Sequence, residues 1–339
     1  MQNFDPFYNQ IPKVELHCHL EGSIRTGTIL DNARRFNLKL PTSDPHELDS
    51  IVKVREQMKD LQSVLKAFRI FQDSLVSIET MERITYELCE DAARQNTRLL
   101  EIRFSPDWAF SGHQLDWDQA LEGILRGQER ARTDFGLVSG LIAISSRSLG
   151  VGSCEKTVDW AIRHKRSILG IDLADDEQRH PIRQFARPVM RAKEAGLKVT
   201  VHTGEDTPAA TVVETILAVH PDRIGHGIHI SDDPETIDLV KGEGITLEIN
   251  PWSNYLTNAV TEIGKHPLKK LYDQGVRVTI NSDDPEVLDT NLNHEYQIAH
   301  EILGMSLDDI QRCNRMALEA SFLPEAQKNL ARRGVPQWN

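Results

Sequence analysis

Four short stretches of this chain hold residues that can bind a metal or move a proton. They are His17-Cys18-His19, His202-Thr203-Gly204-Glu205, Gly225-His226-Gly227 and Asn281-Ser282-Asp283-Asp284-Pro285. Each closes a run rich in Val, Ile and Leu. Side chains alternate along a strand, so His17 and His19 project to one face with Cα atoms about 6.5–7 Å apart. Two imidazoles so placed can converge on one ion. Alone, an HxH pair is more often two structural histidines. His202 alone, between Val201 and Thr203, reads as a core histidine, and Asp283 alone as a turn cap before Pro285. Together they make three neutral imidazoles and one carboxylate, a donor set suited to zinc with a coordination position left open. One zinc per chain, held by His17, His19, His202 and Asp283, is the expectation.

Three further residues flank that set. Glu205, three positions after His202, can shuttle a proton if its pKa lies near the working pH. Its plainer reading is an acid before a helix over 208–219, favoured by the helix dipole. His226, between two glycines that permit close approach, can orient a hydroxide and bear positive charge in the transition state. It also reads as a fourth ligand or a packing histidine. Asp284 can accept a hydrogen bond from substrate or support its neighbour. The other nine histidines, His266 among them, read as surface or core residues.

The elements that must hold these groups alternate between short β-rich runs and amphipathic stretches. Eight strands are expected over 14–19, 99–104, 138–144, 168–173, 198–202, 223–226, 245–249 and 276–281, several as nearly continuous apolar runs buried on both faces. Helical spacing falls between them, as at Ala120, Ile124 and Gly127, and at Leu268, Leu271 and Tyr272. Eight alternations favour an α/β (β/α)8 TIM barrel over a doubly wound sheet. In a closed barrel strands one and eight are neighbours and strand five faces them. About eighty residues separate the first two strands, too many for one crossover. Leu61, Val64, Leu65, Phe68 and Phe71 share one helical face there, and Met81, Ile84 and Leu88 begin another helix. Residues 20–98 therefore include a helical insertion, either a lid over the catalytic face or an ordinary cap. Two helices near 307–318 and 324–333 close the chain. No linker, repeat or charge block divides it, so residues 1–339 read as one domain.

Composition narrows the class. The 339 residues carry 39 Lys+Arg against 51 Asp+Glu, a formal net charge of -12. No basic run exceeds two residues, which disfavours nucleic acid as a partner. The longest apolar run, near 140–144, is far short of a bilayer span, so no membrane partner is expected. Met1 to Gln10 has neither the basic nor the apolar region of a signal peptide. Four cysteines, Cys18, Cys89, Cys154 and Cys313, lie far apart without a CxxC pair. A cytoplasmic protein acting on a small molecule fits best.

At the chemistry-bearing stretches the sequence resembles the adenosine deaminase family, the aminopurine-nucleoside branch of the amidohydrolase superfamily. The resemblance rests on residues 12–23, His202-Thr203-Gly204-Glu205, 223–227 and 281–285, in collinear order across nearly the whole chain. Weaker echoes are residues 100–106, Asp172-Leu173-Ala174, Ser253-Asn254 and His266-Pro267-Leu268. The resemblance implies one zinc on His17, His19, His202 and Asp283. It makes Glu205 the acid that protonates purine N1, His226 the group that orients the attacking hydroxide, and Asp284 the acceptor at N7. It also brings His19, Glu21 and Asp175 to the substrate. Water attacks C6 and ammonia leaves. The HxE and PCxxC pattern of the other zinc deaminases is absent.

Three positions depart from the family pattern. Glu21 stands where an Asp contacts ribose, Asp175 where a glycine amide faces purine N3, and Asn250 where a cysteine is usual. Adenosine and 2'-deoxyadenosine are the expected substrates. Adenine and a 5'-modified aminopurine nucleoside are the alternatives, and Asp175 disfavours AMP. A two-metal hydrolase would want a strand-end lysine, and none of the eight strands ends in one. A catalytically inactive binding protein would have lost a ligand or Glu205, and none is lost.

Overall fold

The computed structural model describes residues 6–338, and within them says nothing of the side chains of residues 61, 62, 64–67 and 111. Eight parallel strands form the expected (β/α)8 TIM barrel: β1 Lys13–His19, β2 Thr97–Phe104, β3 Val138–Ser146, β4 Ile168–Ala174, β5 Lys198–Thr203, β6 Arg223–His226, β7 Thr246–Ile249 and β8 Arg277–Ile280. They follow one another in sequence order around the sheet. The first and last strands meet only past the end of β8. There Asp283 N donates to His17 O at 3.0 Å and His19 N donates to Asp283 O at 2.8 Å. The seam that closes the barrel is thus made by three of the four expected metal ligands.

The strands are less uniformly apolar than the sequence suggests. Outward positions such as Ile102, Ile171, Val199, Val201, Ile224 and Leu247 form the apolar layer beneath the helices. The alternate positions carry Glu101, Arg103, Asp172, Thr200, Arg223 and Glu248, all at most 1% exposed. A barrel interior is usually filled by branched apolar side chains. This one is filled by paired charges.

Between β1 and β2 run the helices Thr26–Phe36, Pro45–Val52, Leu61–Asp73 and Ile78–Arg94. Met81, Ile84 and Leu88 are buried in the last of these, and Phe71 in the third. The side chains of Leu61, Val64 and Leu65, expected on the same face as Phe71, lie outside the described residues. The segment joining the second and third helices ties back to the barrel. Val54 N donates to Val287 O at 2.7 Å and Met58 N to Leu256 O at 2.8 Å. Beside them Asp289 holds Lys53 at 3.1 Å and Arg55 at 2.6 Å. At the other end of the barrel the helices Leu307–Ala320 and Glu325–Arg332 pack Ala317, Leu318 and Ala331 against Val14, Leu16 and Leu99. Among the described residues no helix is long and apolar enough to cross a membrane.

Candidate active site

Every sequence-derived site residue lies at or just beyond a strand's C-terminal end. His17 and His19 come from β1, Glu21 from the turn after it, Asp175 from the turn after β4, His202 and Glu205 from β5 and its loop, and His226 from β6. Asp283 and Asp284 follow β8. All but His17 line one cavity of about 400 Å³, a volume usual for a small-molecule site.

Ring geometry shows how a metal would fit. His17 Nδ1 lies 2.9 Å from Glu248 Oε2, and His202 Nδ1 lies 3.0 Å from Asp172 Oδ1. A carboxylate only accepts, so both Nδ1 atoms carry the proton and both Nε2 lone pairs turn inward. Carboxylate-anchored imidazoles are the usual outer support of metal ligands. His17 Nε2 and His19 Nε2 stand 3.3 Å apart, and each is within 3.2 Å of Asp283 Oδ1. Possible ligand atoms of His17, His202, His226 and Asp283 fall within 4.8 Å of one another, as do those of His19, Asp283 and Asp284. Burial lowers the His19 pKa to about 4, so that ring is neutral near pH 7. The donor set suits a divalent metal. Gly225 leaves the space these rings need, since a Cβ there would sit 3.1 Å from His17 Cε1 and 3.2 Å from His202 Nδ1.

Asp172 and Glu248 stay ionised although buried. Burial alone would raise Glu248, but the guanidiniums of Arg103 and Arg223 hold it well below the carboxylate range. Arg103 bonds Asp172 at 2.7 Å and Glu248 at 2.6 Å. The sequence reading did not single out Glu248 and touched Asp172 and Arg103 only as weak echoes. A charge set between apolar neighbours, as in Leu247-Glu248-Ile249, is the signal that could have found them.

The remaining acids behave in the opposite way. Burial pushes Glu205 well above the usual range, and the negative charges of Asp283, Asp206 and Glu177 push it further. Asp284 is raised by burial and by Asp283, Glu21 and Glu205. Burial lifts Glu21 to about 7. Glu21 Oε1 accepts from Ser105 N at 2.6 Å, but its Oε2 has no partner, and neither has Asp284 Oδ1. Gly22 makes room for Asp284, which a Cβ would strike. The loop bearing Glu205 is held by Glu177, whose carboxylate accepts from the backbone N–H of Gly204, Glu205 and Asp206 at 2.9 to 3.0 Å. Glu177 carries no role in the sequence reading.

His226 Nε2 faces Glu205 Oε2 at 3.6 Å and Asp283 Oδ2 at 3.9 Å. Asp283 and His226 both have left-handed backbones, φ +64° and +62°, a strain that clusters at functional sites. Asp175 is a third case, at φ +79°. Its carboxylate is taken up by Ser146 Oγ at 2.6 Å, by Ser148 Oγ and by its neighbour Asp176 N.

Sequence comparison gives this architecture a lineage. The family model described as adenosine deaminase matches residues 12–338. The chain belongs to the adenosine deaminase family. An adenosine deaminase of Erwinia tasmaniensis is 35% identical over 324 residues, 96% of this chain and 98% of the relative. Among solved structures, an adenine deaminase of Arthrobacter aurescens superposes with a TM-score of 0.89 at 28% identity, covering 96% of this chain and 98% of that one. An amidohydrolase of Burkholderia ambifaria with bound zinc gives 0.86 at 25% identity, over 97% and 90%. The family member described here is a hydrolytic deaminase of an aminopurine, with a metal cofactor.

Proposed function

We propose that the protein deaminates adenosine and 2'-deoxyadenosine, with one zinc per chain held by His17, His19, His202 and Asp283. The observation that carries this reading is the convergence of Glu205, Asp284 and Glu21 on the cavity beside that donor set, none of them ion-paired to a Lys or Arg among the described residues. An acid kept protonated at neutral pH is a hydrogen-bond donor. Glu205 so protonated can donate to purine N1 as C6 becomes tetrahedral. Purine N7 offers a lone pair, so a contact with Asp284 requires the carboxyl to give the hydrogen rather than accept one. Zinc bound at this donor set would supply a Lewis acid and lower the pKa of water toward 7. His226, whose Nε2 faces Glu205 Oε2 at 3.6 Å and Asp283 Oδ2 at 3.9 Å, is the group that would orient the attacking water beside them.

The free Oε2 of Glu21 suits a ribose hydroxyl, and the backbone amide of Asp175 suits N3, since its side chain is already engaged by the two serines. We take residues 20–98 to be an insertion covering the catalytic face of one domain. Phe68, from that insertion, lines the cavity with Trp108. Four free, buried cysteines fit a cytoplasmic enzyme. The small-molecule purine is the only partner this reading requires.

Adenine is the second reading, favoured by the likeness to the Arthrobacter structure and by the longer acid at Glu21. Ammonia release from adenosine and adenine at equal concentration separates them. A site built to bond a ribose hydroxyl discriminates by orders of magnitude in kcat/KM. Adenosine is expected to win by at least 100-fold, on the order set by an unpaired buried polar group. Faster turnover of adenine would overturn the assignment. A gain in adenosine turnover on Glu21→Asp would point to a different nucleoside.

A further inference from the structure

We propose that Asn254 and His266 set the tautomer of His226, so that an Nε2–H and not a lone pair faces the reaction centre. Neither residue lines the zinc donor set, and both are buried, Asn254 at 0% and His266 at 4% exposure. Leu268 N donates to His266 Nδ1 at 3.1 Å, so that nitrogen is the acceptor. Burial lowers the His266 pKa to about 3, so the ring is neutral and its single proton must sit on Nε2. His266 Nε2 lies 3.1 Å from Asn254 Oδ1 and donates to it. That contact fixes which way the Asn254 amide points. Its Nδ2 then donates to His226 Nδ1 at 2.9 Å. A neutral His226 whose Nδ1 accepts must carry its proton on Nε2.

The consequence is a division of labour among four clustered imidazoles. His17 and His202 turn their Nδ1–H toward carboxylates and offer Nε2 lone pairs inward. His226 has an amide N–H at its Nδ1 instead, so its Nε2 can donate but cannot ligate a metal or take a proton. Reversing it would require Asn254 to flip, and Oδ1 could not leave the His266 N–H without stranding it in the core. Asn254 and His266 are therefore positioning residues: they touch no substrate and act through His226.

This inference rests on the reading of His226 as the group that orients the attacking water, and the test separates the two. The zinc-loaded enzyme, labelled with 15N-histidine, is observed by long-range 1H–15N correlation. The expected His226 signal has Nε2 protonated and Nδ1 bare. Protonation at Nδ1 in the wild type overturns the proposal without need of any variant. His266→Phe removes the donor to Asn254; it should mix the His226 tautomers and lower kcat by roughly 10- to 100-fold, the loss typical of an outer orienting partner, with KM within about twofold. His266→Gln can accept from Leu268 N–H and donate to Asn254, so it should restore both the signal and kcat. An unchanged His226 signal in His266→Phe would also overturn the relay. A changed signal with full kcat would uphold the relay and remove His226 from the chemistry.

Discussion

Two sets of acids occupy this barrel, one paired with guanidiniums and one not. The inner set, Glu101, Asp172 and Glu248, sits within the strands, each on a guanidinium: Glu101 at 2.7 Å from Arg223, Glu248 at 2.6 Å from both Arg223 and Arg103, Asp172 at 2.7 Å from Arg103. The outer set, Glu21, Glu205 and Asp284, lies at the strand ends with no such partner, and burial pushes each upward. The inner acids lie sealed within the barrel and the outer ones line the cavity. What differs is the counter-charge, and that decides whether a carboxyl is an anchor or a donor. Asp172 and Glu248 orient the imidazoles that face a metal, whereas Glu21 Oε2 and Asp284 Oδ1 keep hydrogen-bonding capacity that a substrate can meet.

The largest loss is expected at Glu205. Glu205→Gln removes an acid from the outer set and touches none of the inner one. It should keep one zinc per chain, as metal analysis would show, and lose on the order of 10²–10⁴-fold in kcat, the usual worth of a general acid. If more than about a tenth of wild-type turnover survived, proton transfer would have to come from elsewhere. Two equivalents of zinc in either protein would sink the single-ion site.

Arg103→Met attacks the inner set. It leaves Asp172 and Glu248 buried, the first without any guanidinium and the second with Arg223 alone. Removing one partner of a buried ion network costs about 3–5 kcal/mol. Denaturant unfolding should show a loss of that order, and the zinc affinity should fall because His17 and His202 lose their aligned supports. Stability within about 1 kcal/mol of wild type would mean that the inner acids had simply taken up protons, and the contrast between the two sets would collapse.

The outer set was legible in the sequence and the inner one largely was not, for a physical reason. Glu205, His226, Asp283 and Asp284 follow glycines and turn residues at strand ends, where polar groups stand out from their surroundings. The eight strands read correctly because their outward faces are apolar enough to mark them. Their inward charges were hidden by the same run. Arg103 and Glu248 each appear as one polar residue among aliphatics, and only closure of the barrel brings them together from β2 and β7. His266 was hidden differently. His266-Pro267-Leu268 and Ser253-Asn254 stand out only as weak family echoes, and the role of His266 depends on contacts with Leu268 and Asn254 that no local pattern shows.

The least change is expected at Asp175. This acid belongs to neither set: it lines the cavity, yet its carboxylate is bound by Ser146, Ser148 and its neighbour's amide rather than by a guanidinium, and it is not left without a partner. Its backbone is left-handed, where a glycine is at ease and an Asp is not. Asp175→Gly therefore relieves strain while giving up the serine contacts, two effects of similar size and opposite sign, so stability should stay within about 1 kcal/mol of wild type. Adenosine kcat/KM should move less than about threefold, because the backbone amide assigned to N3 remains. Charge is the part that changes. Removing a carboxylate from the cavity wall should remove a repulsion toward phosphate of about 1 kcal/mol, so AMP relative to adenosine should gain roughly fivefold. A tenfold fall with adenosine would instead show that the Asp175 carboxylate itself touches the nucleoside, which would place it with Glu21 among the acids that wait for substrate.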